Sequence, residues 1–289
     1  MNQDHFGMDT ITLAGSLEAK LRAVRDAGFT QIMLSARDIA GHPGGETAAI
    51  AAVRDSGLRV TGFQVLRDYE GLSGHLHDYK VDIAKAMLRM CRALDSNVLL
   101  ICSSSSPHAT GDAAALARDM QKLAMLAVPL GIRVAYEALS WGLHVNEFMQ
   151  AWNIIERAGR ANLGLAFDSF HVLATNSRTD SLEEINPEKI FLVQLADFMW
   201  QETPSPEERM NTARHFRVFP GEGVHSAQVA DMVRRLDQMG YRGDYSFEVF
   251  NDDYVQLPLS TVAERARRSV KWLTGQVSRR SLPVRKNVL

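Results

Sequence analysis

Residues 132–168 read IRVAYEALSWGLHVNEFMQAWNIIERAGRANLGLAFD. IRVAYE is a short apolar run with β-branched residues, and it ends on the carboxylate Glu137. A helical pattern follows over residues 146–158 and stops at Gly159, a residue free to take the left-handed conformation in which helices often end. LGLAFD is a second apolar run, and it too ends on a carboxylate, Asp168. The stretch therefore predicts one strand–helix–strand unit, each strand bearing an acid at its C-terminal end.

Working outward, the same grammar repeats. Upstream, strand candidates are MDTITL (8–13), QIML (31–34), LRVTGFQ (58–64) and NVLLIC (97–102), with helical patterns over 16–27, 46–56, 78–94 and 112–130. Gly28 after DA and Gly131 before IRVAYE are the matching stops. Downstream come IFLVQLA (190–196), a helix over 226–239 ending at Gly240, DYSFEVF (244–250) and a last helix over 260–275. Eight strands, apolar rather than cleanly alternating, are expected when helices cover a parallel sheet. Units of roughly 25 to 35 residues along the whole chain favour one closed (β/α)8 barrel, a TIM barrel of class α/β, over a doubly wound open sheet. The barrel is expected over residues 1–276 and a short basic tail over 277–289. No glycine-rich phosphate fingerprint follows the first strand, and PGGE at 43–46 reads as a loop.

Composition narrows the function classes. With 46% hydrophobic and 23% charged residues among 289, the chain can bury a large core. A net charge of -2 supplies no general field for nucleic acid or an anionic membrane, and neither partner is expected. The first residues lack a secretory pattern, and no apolar run reaches membrane-spanning length. Cys91 and Cys102 are too few for a disulfide framework or a thiolate zinc site, and a reducing cytoplasm fits them.

The chemistry is expected where apolar strands turn polar. Glu137, Asp168, Gln194 and Glu248 lie at strand ends separated by 31, 26 and 54 positions. The last gap is twice a typical unit; the excess, residues 197–226 with FPGEG inside, reads as a long loop after strand seven. In a β/α barrel those ends form the mouth, so four oxygen donors would converge. Three carboxylates there repel one another, and a divalent cation relieves the repulsion; oxygen donors suit Mg²⁺ or Mn²⁺ and admit Co²⁺. The competing readings are a helix-capping or ion-paired carboxylate and a Gln194 satisfied by backbone. His171, three residues past Asp168, and His144 in SWGLHVN are candidates for proton transfer. Trp141 is a candidate apolar wall. Arg67 and Arg217 are candidates for clamping a carboxylate, with Gln64 and Ser104 as further substrate contacts. Tyr136 and Phe167, one residue before their acids, point the opposite way and read as core.

YEALSWGLHVNEFMQAW, GLAFDSFHVLA, EKIFLVQLAD, HFRVFPGEG and YSFEVFND together resemble the xylose-isomerase-like family of divalent-metal β/α barrels, most closely its bacterial 3-dehydroshikimate dehydratase branch. The resemblance runs at least from Ile11 to Trp272. It implies metal ligation by Glu137, Asp168, Gln194 and Glu248, a substrate contact for His171, and pocket positions for Arg67 and the FPGEG loop. It implies a small cyclic hydroxy-keto carboxylate as substrate, dehydrated through enolisation and aromatised to protocatechuate. Many sugar epimerases of the superfamily have histidine where Gln194 stands, which favours the dehydratase branch. The alternative is a metal-dependent sugar or keto-acid isomerase or epimerase. Some dehydratases of this kind carry a fused dioxygenase-like domain, and this chain is expected to lack one. Phe247 and Leu143 depart from the branch pattern.

Overall fold

The computed structural model describes residues 3–280, and the end of the basic tail, residues 281–289, lies outside them. Seven of the expected apolar runs form the parallel strands β1 (Phe6–Asp9), β2 (Gln31–Ser35), β3 (Arg59–Leu66), β4 (Val98–Cys102), β5 (Arg133–Glu137), β6 (Leu163–Asp168) and β7 (Ile190–Leu195). A short antiparallel pair follows, β8 (Asp197–Phe198) with β9 (Arg217–Val218). The eighth barrel strand, β10 (Tyr245–Phe247), pairs with β7 on one side and β1 on the other, and so closes the ring. The open doubly wound sheet is thereby excluded.

Helices α1 (Leu17–Asp26), α3 (Gly45–Ser56), α4 (Gly74–Ala93), α5 (Ala113–Ala127), α6 (Phe148–Ala158), α9 (Ser226–Met239) and α10 (Leu259–Arg280) cover the barrel. Local chemistry sets their ends. The Ser16 hydroxyl accepts from the Ala19 N–H at the start of α1, and Asp112 does the same for Ala114 at the start of α5. Gly159 ends α6 at φ 61°, a conformation costly for any residue with a Cβ. The last helix runs to Arg280 rather than stopping near Gly275, so residues 277–280 belong to it and not to a tail.

Strand alternation divides the core in two. Leu99, Ile101, Val134, Tyr136, Leu165 and Phe167 face outward into the helix-covered core. Met33, Val98, Leu100, Ala135, Ala166, Phe191 and Leu192 fill the barrel interior. Each buried leucine contributes about 1.5–3 kcal/mol. Small Ala135 and Ala166 pack with bulky Phe191 and Met33 in this layer. Side chains two residues further along a strand share the inward face, so Cys102, Glu137, Asp168 and Gln194 stand directly above this plug. The register reinforces the grouping, with Cys102 opposite Glu137 and Asp168 opposite Gln194.

Residues 197–226 differ from the single loop expected. They hold β8, β9 and helix α8 (Pro206–His215), whose first turn is closed by a reciprocal cap between Ser205 and Glu208. Two-residue strands are too short to leave a period of two, and α8 buries only Thr212 and Ala213, so no apolar stripe betrayed it. Short helices α2 (Ala36–Ala40) and α7 (Ser169–Ala174) follow β2 and β6 directly. Among the described residues, no helix is long and apolar enough to cross a membrane.

Candidate active site

Glu137 ends β5, Asp168 ends β6, Gln194 sits near the end of β7, and Glu248 lies one residue past β10. All four are buried. Asp168 carries two loads: its Oδ1 caps α7 by accepting from the Phe170 N–H at 2.7 Å, while Oδ2 faces its neighbours. The helix-capping reading and the inward-facing reading are therefore both realised, on different oxygens. The first turn of α7 carries His171 back over the cluster, with Nε2 3.6 Å from Asp168 Oδ2 and 3.8 Å from Glu137 Oε1. Glu137, Asp168 and His171 each present a ligand atom within 4.8 Å of the others, a group that could hold a metal ion.

Arg217, at the start of β9, is the positive charge of this cluster. Its Nη1 donates to Asp168 Oδ2 at 2.7 Å and to Glu248 Oε2 at 3.0 Å, and its Nε donates to the Ala213 carbonyl. Burial, followed by the nearby Asp168 and Glu248 charges, pushes the Glu137 carboxyl well above the usual carboxylate range. The Cys102 thiol donates to Glu137 Oε2 at 2.8 Å, and Glu137 Oε1 has no hydrogen-bond partner among the described residues. Gln194 is fully buried, yet neither its Oε1 nor its Nε2 has a partner, so the reading of a backbone-satisfied amide does not hold. Burying an amide unpaired costs about 1–3 kcal/mol. Unpartnered buried oxygens on Glu137 and Gln194 beside the carboxylates Asp168 and Glu248 are the donor types that suit a hard divalent ion, which would offset the carboxylate repulsion.

The His171 ring is fixed by Ser140, whose backbone N–H donates to Nδ1 at 3.1 Å. An accepting Nδ1 places the neutral ring's proton on Nε2, toward the acids. Burial holds this histidine down to about 3, so it stays neutral near pH 7. Trp141 meets the ring edge to face, with centroids 5.2 Å apart.

A cavity of about 610 Å³ at the barrel mouth is lined by Glu137, His171, Trp141, Gln64, Arg67, Arg217 and Glu248, among others. Gln64 reaches it while donating its amide to Asp9. Arg67 stands exposed at the rim with Arg37 and Arg214, and among the described residues none of the three forms an ion pair. Arg214 lies over Trp141 instead. Four expected residues are absent from its lining: Asp168 and Gln194 are buried out of it, and His144 and Ser104 stand away from it. His144 is exposed on the loop after β5, its Nε2 bonded to the Ala109 carbonyl, because the chain has turned outward by that point. Ser104 is buried, but its N–H donates to Glu70 and its hydroxyl to Asp68, which ties the loop after β4 to that after β3. FPGEG is likewise structural: Gly221 packs on Trp272, and Gly223 lies against Asp197.

Sequence reading missed Asp9, Lys20, Asp38, Cys102 and Ser140. One signal was present: Lys20 occupies the apolar stripe of α1 with Leu17, Leu21 and Val24. A lysine there must either snorkel out or find a buried partner. A cavity of about 670 Å³ lies apart, lined by α7, α9 and the segment before α8, and holds none of the acids of the barrel mouth.

Residues 21–276 match the model of the xylose isomerase-like TIM barrel. The chain is 35% identical over 267 residues to a 3-dehydroshikimate dehydratase of Pseudomonas aeruginosa, covering 91% of this chain and 41% of that protein. It is 33% identical over 270 residues to the enzyme of the same name from Pseudomonas putida, covering 92% and 41%. The chain thus spans about two fifths of the length of these relatives. A solved xylose isomerase-like TIM barrel/4-hydroxyphenylpyruvate dioxygenase fusion protein superposes with a TM-score of 0.90 at 31% identity, over 100% of this chain and 46% of that one. The chain belongs to the xylose isomerase-like TIM barrel family.

Proposed function

We propose that this barrel is a 3-dehydroshikimate dehydratase, a hydro-lyase that enolises a cyclic hydroxy-ketone carboxylate, expels water and yields protocatechuate. The observation that carries the reading is the pair of orphaned oxygens, Glu137 Oε1 and Gln194 Oε1, buried beside two further acids under a mouth rimmed by unpaired arginines. Glu137, Asp168, Gln194 and Glu248 would hold Mn²⁺ or Mg²⁺, with Co²⁺ also accommodated. A bound divalent cation would polarise the substrate ketone and lower the cost of enolate charge.

The chain's own residues do the rest. His171, its Nε2 facing Asp168 and Glu137, hydrogen-bonds a substrate oxygen and is the candidate for passing the proton released from carbon to the departing hydroxyl, which leaves as water. Arg217 holds Asp168 and Glu248 in place, and its charge limits their mutual repulsion. Arg67 offers the substrate carboxylate a planar two-point donor at the rim, and Trp141 closes one side of the ring's pocket. A cavity of about 610 Å³ suits a single small ring. The buried free thiols Cys91 and Cys102 fit a reducing cytoplasm.

The test is protein supplied with Mn²⁺ or Mg²⁺ and 3-dehydroshikimate, with protocatechuate followed by its ultraviolet absorbance and the loss of one water by mass. No aromatic product from the metal-loaded protein would reject the substrate. Chiral analysis of ketose products then tests the isomerase chemistry.

A further inference from the structure

Helices α1 and α2 place a second buried charged pair on the wall of the same cavity. Lys20 Nζ donates to Asp38 Oδ1 at 2.8 Å, and the two side chains are only 9% and 11% exposed. The pair is incompletely satisfied. Lysine carries three N–H donors, and one is engaged; Asp38 Oδ2 is buried with no partner. Asp9, which receives the Gln64 amide, lies within electrostatic reach of Glu248 and of the Lys20–Asp38 pair.

From this geometry we infer that Lys20 and Asp38 are a specificity pair that grips a ring hydroxyl of the substrate. The inference rests on the reading of the mouth as the substrate site. A hydroxyl both donates and accepts, so it can take a free Lys20 N–H and return its own proton to Asp38 Oδ2. A carboxylate has only acceptors, and the unpartnered Asp38 Oδ2 would repel it rather than receive a proton from it. The wall therefore suits a neutral polar edge, while the anion goes to the arginine rim. An ordinary clip between α1 and α2 would need no place on the cavity wall, and burying an ion pair merely to join two helices is a poor source of stability.

The experiment compares two probes on the metal-loaded full chain by calorimetric titration. Shikimate carries ring hydroxyls and a carboxylate, and cyclohexenecarboxylate carries only the carboxylate. The wild type should prefer shikimate. Lys20→Met and Asp38→Asn should each weaken shikimate by about 10- to 100-fold, the scale of a hydrogen bond to a charged group, and leave cyclohexenecarboxylate unchanged. Because each single variant strands a buried partner, the double variant Lys20→Met/Asp38→Leu repeats the measurement without an orphaned charge. Thermal unfolding and Mn²⁺ affinity are measured alongside. Equal weakening of both probes, or a shikimate preference that survives in the double variant, overturns the inference and leaves the pair a helix clip. If shikimate preference depends on Lys20 but 3-dehydroshikimate is not turned over, the dehydratase reading fails and the hydroxyl grip stands.

Discussion

Replacing Gln194 with methionine should move the stability of the metal-free and metal-loaded protein in opposite directions. The side chain is fully buried, and neither amide atom has a partner without a cation. Methionine fills nearly the same volume and removes both polar atoms, so the metal-free variant should gain about 1–2 kcal/mol, most of the cost of the orphaned amide less a small repacking cost. For a chain of this size that is a rise of about 2–4 °C in Tm for each kcal/mol. The loaded protein should lose. If removing one oxygen donor weakens Mn²⁺ about 100-fold, then metal at 100 times the wild-type Kd stabilises the wild type by about 2.7 kcal/mol and the variant by about 0.4 kcal/mol. Scanning calorimetry with chelator and with Mn²⁺ reads both terms, and the two unfolding curves should exchange order between conditions. A variant that is destabilised without metal, and stabilised by metal as much as the wild type, would refute the assignment of Gln194 as a donor.

Glu137→Gln should abolish stoichiometric Mn²⁺ binding by electron paramagnetic resonance and lower turnover at least 100-fold, since it removes a charged donor at the orphaned oxygen. Arg67→Met should raise KM for 3-dehydroshikimate about 10- to 100-fold with Mn²⁺ affinity unchanged, because the arginine stands at the rim and not among the acids. His144→Ala should leave kcat and KM within twofold of wild type, as its ring serves only the Ala109 carbonyl. Burial pushes Glu70 from the ordinary 4.5 up to about 7, so folding favours its protonated form. That stability is complete below about pH 4.5 and is lost as pH rises through about 7. Glu70→Gln should therefore remove roughly 3 kcal/mol of the wild type's decline between pH 4.5 and 8, at about 1.4 kcal/mol per unit, as read by urea unfolding.

The barrel and the four buried polar residues at its strand ends were legible because both follow from period. Apolar runs separated by glycine-stopped helices repeat along the chain, and a residue's parity along its strand sets whether it faces the helices or the lumen. Tyr136 and Glu137 are neighbours in sequence, yet one packs outward and the other faces the mouth. Residues 197–226 were not legible, since β8 and β9 are too short for periodicity and α8 is polar nearly all round. His144 and Ser104 were misplaced for a related reason: beyond a strand end, chain direction is set by loop contacts, such as Ser104 with Glu70, rather than by any repeating pattern.

Sequence periodicity thus decided the closed α/β architecture and the inward-facing oxygens of Glu137, Asp168 and Gln194, because strand pleating and helix repeat act over a few neighbouring residues. Tertiary structure alone decided that Arg217 comes back 49 residues later to hold Asp168, that Cys102 meets Glu137 across two strands, and that Lys20 and Asp38 share a wall with the acids. Those partnerships depend on the stagger of the closed barrel and on where its loops return. Distance in space then bears no fixed relation to distance along the chain.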